Sequence, residues 1–332
     1  MAAASINPGV SNPSLARFAW FAVFYTVLVI LWGSLVRASG SGAGCGNHWP
    51  LCNGQVIPVS PGIHTIIEFT HRQMTVGSTL IVLALLIWTF RATVKGHAAR
   101  AFAVASAILL LNEALLGALL VKLGYVTGNQ SSGRMVLLSI HLSNTLLLMA
   151  ALTLTARFIS TNQARAGLHR VRSFGWAVAG LAATIGVGVS GSMAALGDTL
   201  FPAASLQQAF TQDFATGAPW LLRLRLVHPA SALIAALFVI WLVGRSRQTG
   251  SSEISGQNVR LANVVLILLA LQFVLGIADV LLLAPAWMQL LHLLGADLYW
   301  VALVLLAAET IWPDRTAASE TPAPAQFNTT LA

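Results

Sequence analysis

The sequence predicts an all-α membrane protein with eight transmembrane helices, arranged as two pseudo-symmetric four-helix bundles in parallel orientation. Three observations carry this. Only 8% of the 332 residues are charged, against about 25% in ordinary globular chains, too few to cover a soluble surface. Apolar residues make up 57% before the 27 glycines are counted, which excludes disorder for the bulk of the chain. The apolar residues also fall into runs of about 20, the length of a membrane crossing.

The runs are 18–36, 64–90, 101–123, 134–156, 174–196, 222–244, 261–283 and 288–311. Each can cross about 30 Å of hydrocarbon at about 1.5 Å per residue. Their Leu, Ala, Val and Ile follow one another without strict alternation, which favours helices over barrel strands. The first run is followed by Ala38, Gly40 and Ala43, as a signal peptide would be. It is longer than the roughly 7–15 apolar residues of a signal core, so it reads as a spanning helix.

Orientation follows from the cations. The segments 1–17, 91–100, 157–173, 245–260 and 312–332 share one side and hold 12 of the 18 Lys and Arg residues. By the positive-inside bias both termini are cytoplasmic. The formal charge of +8 therefore reflects topology, and no basic stripe with interleaved aromatics suits nucleic acid. The outer loops are 37–63, 124–133, 197–221 and 284–287. Residues 1–17 form a cytoplasmic tail, and 313–332, rich in Ala, Thr and Pro, a disordered one.

Cut near residue 165, the chain repeats. Glu113-Ala-Leu-Leu-Gly117 in the third run aligns with Gln272-Phe-Val-Leu-Gly276 in the seventh. His71 aligns with His228, and His141 with His292 after one loop is shortened. An even number of helices per half places the halves in the same orientation.

Of eight histidines, His97 and His169 lie in cytoplasmic loops, and His48 and His64 in or beside the first outer loop. His71, His141, His228 and His292 each occupy one even-numbered run, at matched depth in the outer half of the membrane. One intramembrane His is commonly a helix–helix hydrogen-bonding residue. Four at one depth, two per half, fit two haem-sized sites, because imidazole is the usual axial ligand of haem iron and facing helices of a bundle build cofactor sites. Zinc or copper would want three or four clustered ligands.

Charges in the membrane are costly and informative. Glu68 precedes His71 by three residues in Glu68-Phe-Thr-His71-Arg72, which places both on one helix face. It can orient the imidazole or act on a substrate beside the ring, or simply pair with Arg72 or Arg37. Arg37, Arg72, Arg134, Arg223 and Arg225 lie near the outer surface, as propionate partners or as interfacial anchors. Glu113, Asp279 and Asp297 are intramembrane acids without an assigned role. Gly33 in the first run and Gly186-Val-Gly188-Val-Ser-Gly191 in the fifth allow close helix approach or leave room for a flat ring. The latter matches a dinucleotide fingerprint by letter but lacks the strand and βαβ context that motif needs. Cys45 and Cys52 are the only cysteines. Both face the oxidising side, so a disulfide is allowed, as a structural staple or as a pair that exchanges electrons.

At this point the chain resembles the haem A synthase family. The carrying residues are Gly33 to Pro61, including Arg37 and the Cys45/Cys52 loop; Glu68-Phe-Thr-His71-Arg72; His141; Ala195-Leu-Gly-Asp198 with Phe201-Pro202; His228-Pro229; and His292. The resemblance covers roughly residues 15–312. One departure is visible: 197–221 contains no cysteine, where some members carry a second pair.

The resemblance implies a membrane oxidoreductase of the bacterial cytoplasmic membrane. It would oxidise a methyl group of haem O to a formyl group, giving haem A for cytochrome c oxidase. The bundle 18–160 would receive haem O near His71 and His141, with Glu68 beside the reacting group. The bundle 161–312 would hold haem b between His228 and His292. Arg37, Arg72, Arg134 and Arg225 are candidate propionate partners. Implied partners are haem O handed over by a haem O synthase, an unidentified electron donor, membrane lipid and a second copy of the chain. A di-haem electron carrier of the cytochrome b type, with no chemistry on the ring, is the alternative.

Overall fold

The structure, a computed structural model, describes residues 12–163, 171–248 and 255–312. Among these are nine α-helices, one short 3₁₀ turn and no strand. They are α1 (Pro13–Ala38), the turn Ser41–Ala43, α2 (Ile63–Ala92), α3 (Ala98–Lys122), α4 (Ser132–Ser160), α5 (Val171–Leu200), α6 (Leu206–Phe214), α7 (Trp220–Gln248), α8 (Ser255–Leu281) and α9 (Ala286–Ile311). All but α6 are long and apolar enough to cross a membrane, so this is a multi-pass membrane protein. The expected tails at 1–11 and 313–332, and the junction between the halves at 164–170, lie outside the described residues.

Most helices outrun their apolar runs, because capping is polar. The Asn12 side chain accepts the Leu15 N–H at 3.0 Å and Pro13 opens α1. Residues 13–17, expected in the tail, are therefore helical. Ser131 caps α4 through the Arg134 N–H at 3.3 Å. At its other end α4 extends past the apolar run to Ser160, which carries Arg157 from an expected loop into the packed interior.

The ninth helix was not expected. Ser205 caps α6 by accepting the Gln208 N–H at 3.2 Å. Its Leu206, Phe210 and Phe214 recur every four residues on an exposed side, and the two Phe rings stack at 6.5 Å. The segment is too short and too polar for a hydropathy reading to distinguish from loop.

Helices α1 to α4 close a ring: α1 packs on α2 and α4, and α3 joins α2 to α4. Helices α5, α7, α8 and α9 close a second ring in the same manner. The rings meet where α1 and α4 face α5 and α9. Helix α9 is the most enclosed, burying half of its apolar stretch against 11% for α5 and α8. Trp300 and Val304 of α9 belong to the first ring's core, beside Leu146, Met149 and Leu152.

Lipid tails are as apolar as leucine, so shape and polar contacts hold helices together in a bilayer. Three polar ties cross the junction at three depths. Trp300, 1% exposed, donates its indole N–H to the Leu146 carbonyl at 2.8 Å. At the end away from the cysteine loop, Arg157 Nε donates to Glu309 Oε1 at 2.9 Å and its Nη2 to the Trp312 carbonyl at 2.7 Å. At the cysteine-loop end, Arg37 reaches from α1 to α5 and α9.

Candidate functional site

The four intramembrane histidines form a layer. His71 lies eight residues into α2, His141 nine into α4, His228 eight into α7 and His292 six into α9. That is a depth of about 9–14 Å at helical rise.

Glycines set how closely the neighbouring helices approach three of these rings. A Cβ added at Gly33 of α1 would lie 2.9 Å from His71 Cε1, and one at Gly191 of α5 would lie 2.9 Å from His228 Cε1. At Gly276 of α8 the corresponding distance to His292 Cε1 is 3.3 Å. Any larger residue at Gly33 or Gly191 would push the imidazole aside.

His228 and His292 face each other with ring centroids 6.3 Å apart and planes at 79°. A metal–imidazole bond is about 2 Å long. Two such bonds, plus roughly 1 Å from nitrogen to ring centre on each side, span about 6 Å. That separation would leave room for one metal ion between the two imidazoles, with His228 and His292 as the residues that would hold it. Ser190 Oγ lies 3.2 Å from His228 Nδ1, and Ser231 Oγ is 2.8 Å from Ser190 Oγ. His292 Nδ1 is buried without a partner among the described residues. Pro229, next to His228, lies within α7; it cannot donate to the Arg225 carbonyl one turn earlier.

In the first ring His71 and His141 are close enough to interact electrostatically. His71 Nδ1 is also buried without a partner among the described residues. His141 Nδ1 instead lies 3.2 Å from Glu113 Oε1 of α3.

Glu68 has both oxygens engaged. Oε1 accepts from Arg72 Nη2 at 2.5 Å and Oε2 from the Cys45 N–H at 2.7 Å. Arg72 Nη1 donates to the carbonyls of His48 at 2.8 Å and Leu51 at 2.7 Å. One helical turn of α2, directly beside His71, thus rivets the loop 45–52 in place. Cys45 and Cys52 are joined in a disulfide and are fully buried. Glu68 is the carboxylate that the loop folds onto, and this contact could not be read from its spacing to His71.

The four arginines expected near propionates divide. Arg37 spends most of its donors on the other ring: Nη1 on the Ala195 carbonyl and Thr199 Oγ1, both at 2.9 Å, and Nη2 on Gln289 Oε1 at 2.8 Å, with a longer bond from Nη2 to Ser34 Oγ of its own helix at 3.3 Å. Arg225 Nη2 donates to the carbonyls of Gly197 and Phe201, each at 2.8 Å. Its Nε pairs with Asp198 at 2.9 Å and its Nη1 with Asp213 at 3.4 Å. Asp213, on α6 outside the spans, has its carboxyl pushed up by burial, with Arg225 opposing the shift. Arg72 holds the cysteine loop. Arg134, buried in α4, gives Nη1 to the Asn129 carbonyl at 2.7 Å and keeps an Nε with no partner among the described residues.

Sequence reasoning missed Gln289, Thr199, Arg157 with Glu309, and the contact between Glu113 and His141. Only the last left a trace: Glu113 stands in a motif repeated as Gln272 in the other half.

The sequence matches the model of the cytochrome oxidase assembly protein family over residues 16–304. It is 42% identical over 306 residues to a protoheme IX farnesyltransferase of Thermus thermophilus, covering 90% of this chain and 48% of that protein. It is 34% identical over 141 residues to the heme A synthase of Exiguobacterium sibiricum, covering 42% and 45% of the two chains. With the heme A synthase of Alkalihalophilus pseudofirmus it shares 40% identity over 130 residues, covering 39% and 40%. In each case the match spans less than half of the relative's own length.

Proposed function

The chain belongs to the cytochrome oxidase assembly protein family, and on that premise we propose that it is a haem A synthase of a bacterial cytoplasmic membrane, with both termini cytoplasmic. The observation that carries the reading is the layer of four histidines, two in each ring, in a chain similar to heme A synthases.

His228 and His292 would hold haem b, a fit supported by their 6.3 Å separation. When bound, that group supplies reversible one-electron chemistry beside the substrate ring. Gly191 keeps α5 close against the His228 ring, and Ser190 orients it through Nδ1.

Haem O is the substrate, received between His71 and His141. The reaction converts a ring methyl to a formyl group, a four-electron oxidation: written with water as the oxygen source, methyl plus water gives aldehyde, four protons and four electrons, and a separate oxidant, dioxygen or an external electron acceptor, takes up the four electrons. Glu68 is assigned to the reacting carbon, where a carboxylate stabilises developing positive charge or takes a proton. Its bonds to Arg72 and the Cys45 N–H close the loop over this position and exclude water. Arg134, with its unused buried Nε, is the arginine of the four best placed to receive a propionate. A prenyltransferase must supply the substrate, and the Thermus farnesyltransferase, matched over 48% of its length, supports such a partnership.

That relative also raises prenyl transfer as a reading for this chain. Ionising an allylic diphosphate needs carboxylates gathered around divalent cations. What favours oxidation is the layer of four histidines, two in each ring.

The test is the haem profile of membranes that contain haem O but no other source of haem A. The wild-type chain should yield haem A. Glu68→Gln should accumulate haem O or a hydroxylated intermediate, with the protein level and haem b retained and haem A reduced by about 10²-fold or more. Haem O alone from the wild type would reject the activity and favour an electron carrier. Normal haem A from Glu68→Gln would reject the role of that residue.

A further inference from the structure

The two rings place different groups behind their second histidine. In the first, Glu113 Oε1 lies 3.2 Å from His141 Nδ1, with the N–H not yet aimed squarely at the oxygen. Asn144 Nδ2 donates to Glu113 Oε2 at 2.5 Å, and the Thr145 hydroxyl donates to Oε1. Asn144 is itself held, by the Leu109 carbonyl at 2.9 Å and by Asn112 at 2.8 Å. The carboxylate is thus fixed within the membrane. Its ion-pair partner among the described residues is His141 and no Lys or Arg.

The repeat places Gln272 at the same position of the second ring. An amide carries no charge. The Gln272 side chain packs against Gly295, and its Nε2 has no partner among the described residues. His292 Nδ1 has none either. The behind-the-ligand position is therefore a carboxylate in one ring and an amide in the other.

We infer that Glu113 is a positioning residue for the iron bound in the first ring, which it poises at a lower reduction potential than the iron in the second. The inference rests on the proposed haem sites. A small turn of the His141 ring aligns Nδ1–H with Glu113 and presents Nε2 to the metal. A carboxylate acceptor there fixes the tautomer and raises the basicity of the ligand, and stronger donation stabilises ferric over ferrous iron. His71, His228 and His292 have no carboxylate behind them among the described residues, so the asymmetry comes from this one side chain. A buried carboxylate whose charge is matched only by a histidine is costly in a membrane. A ligand-polarising role gives that charge a use in the ring where the substrate is oxidised.

The test is a redox titration of protein purified from membranes and loaded with iron protoporphyrin IX, followed optically, with low-spin EPR g values recorded on the same samples. The wild type should titrate as two components. In Glu113→Gln the lower component should move up towards the higher one, its g values should shift, and the other component should stay. In Gln272→Glu the higher component should move down. Two unmoved components in Glu113→Gln, with full haem content, would overturn the inference. So would parallel loss of protein and haem while the surviving lower component keeps its potential, since a mere tie between α3 and α4 predicts that. If the wild type loads a single haem, the reading of the first ring as a haem site fails, and this inference with it.

Discussion

The ring holding His71 and His141 and the ring holding His228 and His292 have the same number of helices and the same device of a glycine set against an imidazole. They differ in what surrounds that device. The first ring has a carboxylate behind His141, a second carboxylate one turn from His71, and a disulfide loop bonded down onto it. The second has serine behind His228, a His292 Nδ1 with no hydrogen-bond partner among the described residues, and a loop helix held by Arg225. The second ring is not free of acids, since Asp279 of α8 and Asp297 of α9 each keep a buried oxygen without a partner among the described residues; what it lacks there is a carboxylate paired with a histidine. Two rings of four helices thus differ mainly in a few side chains around their histidines.

The largest expected effect breaks the second ring's role outright. On the proposed ligand set, His228→Ala or His292→Ala should remove haem b completely, since each withdraws one of the two residues proposed to hold it. Pyridine haemochrome analysis of the purified variants reads this directly. A full low-spin haem b spectrum in either variant would reject that ligand pair, and with it the division of labour between rings.

An intermediate effect is expected where the rings join. Arg157→Ala leaves Glu309 buried without its cation, a loss of about 3–5 kcal/mol. Replacing both partners, Arg157→Met with Glu309→Leu, should recover most of it, because no lone charge remains. Unfolding in detergent, followed by circular dichroism, would separate the two. Equal destabilisation of the single and double variants would mean that the bond to the Trp312 carbonyl, and not the ion pair, carries the junction.

The smallest global effect is expected from the cysteine loop. Cys45→Ser with Cys52→Ser opens a loop of sequence separation 7, worth at most about 2–3 kcal/mol by loop-closure entropy. Glu68 and Arg72 still hold the loop backbone, so helix melting should barely shift while proteolysis between residues 45 and 61 accelerates. Unchanged proteolysis would show that the side-chain rivets alone suffice. A large drop in helix stability would show that the loop is integral to the first ring.

Much of this was legible in the sequence because membranes impose simple rules. A span must be apolar for about 20 residues, so eight runs announced eight helices, and only the capped ends and α6 escaped. The histidines stood out because a polar side chain in hydrocarbon is rare and each fell in the same place of a repeat. Glu68 was legible as a neighbour of His71, one turn away on the same helix. Its second bond, to the Cys45 N–H, was not, because it depends on how a loop of 24 residues between α1 and α2 folds back.

What the sequence by itself determined is everything governed by local period and composition: the spans, their alternation, the matched depth of His71, His141, His228 and His292, and the Glu113–Gln272 difference between halves. What only the tertiary structure decided is which helices become neighbours. Arg37 reads from sequence as an outer-surface cation and is in fact bonded to α5 and α9. Arg157 reads as a loop charge and is buried against Glu309. Glu113 meets His141 only because α3 packs on α4. The physical reason is common to all three. Periodicity along one helix sets which face a side chain occupies, whereas a long polar side chain in a low-dielectric interior takes whichever partner another helix brings within reach.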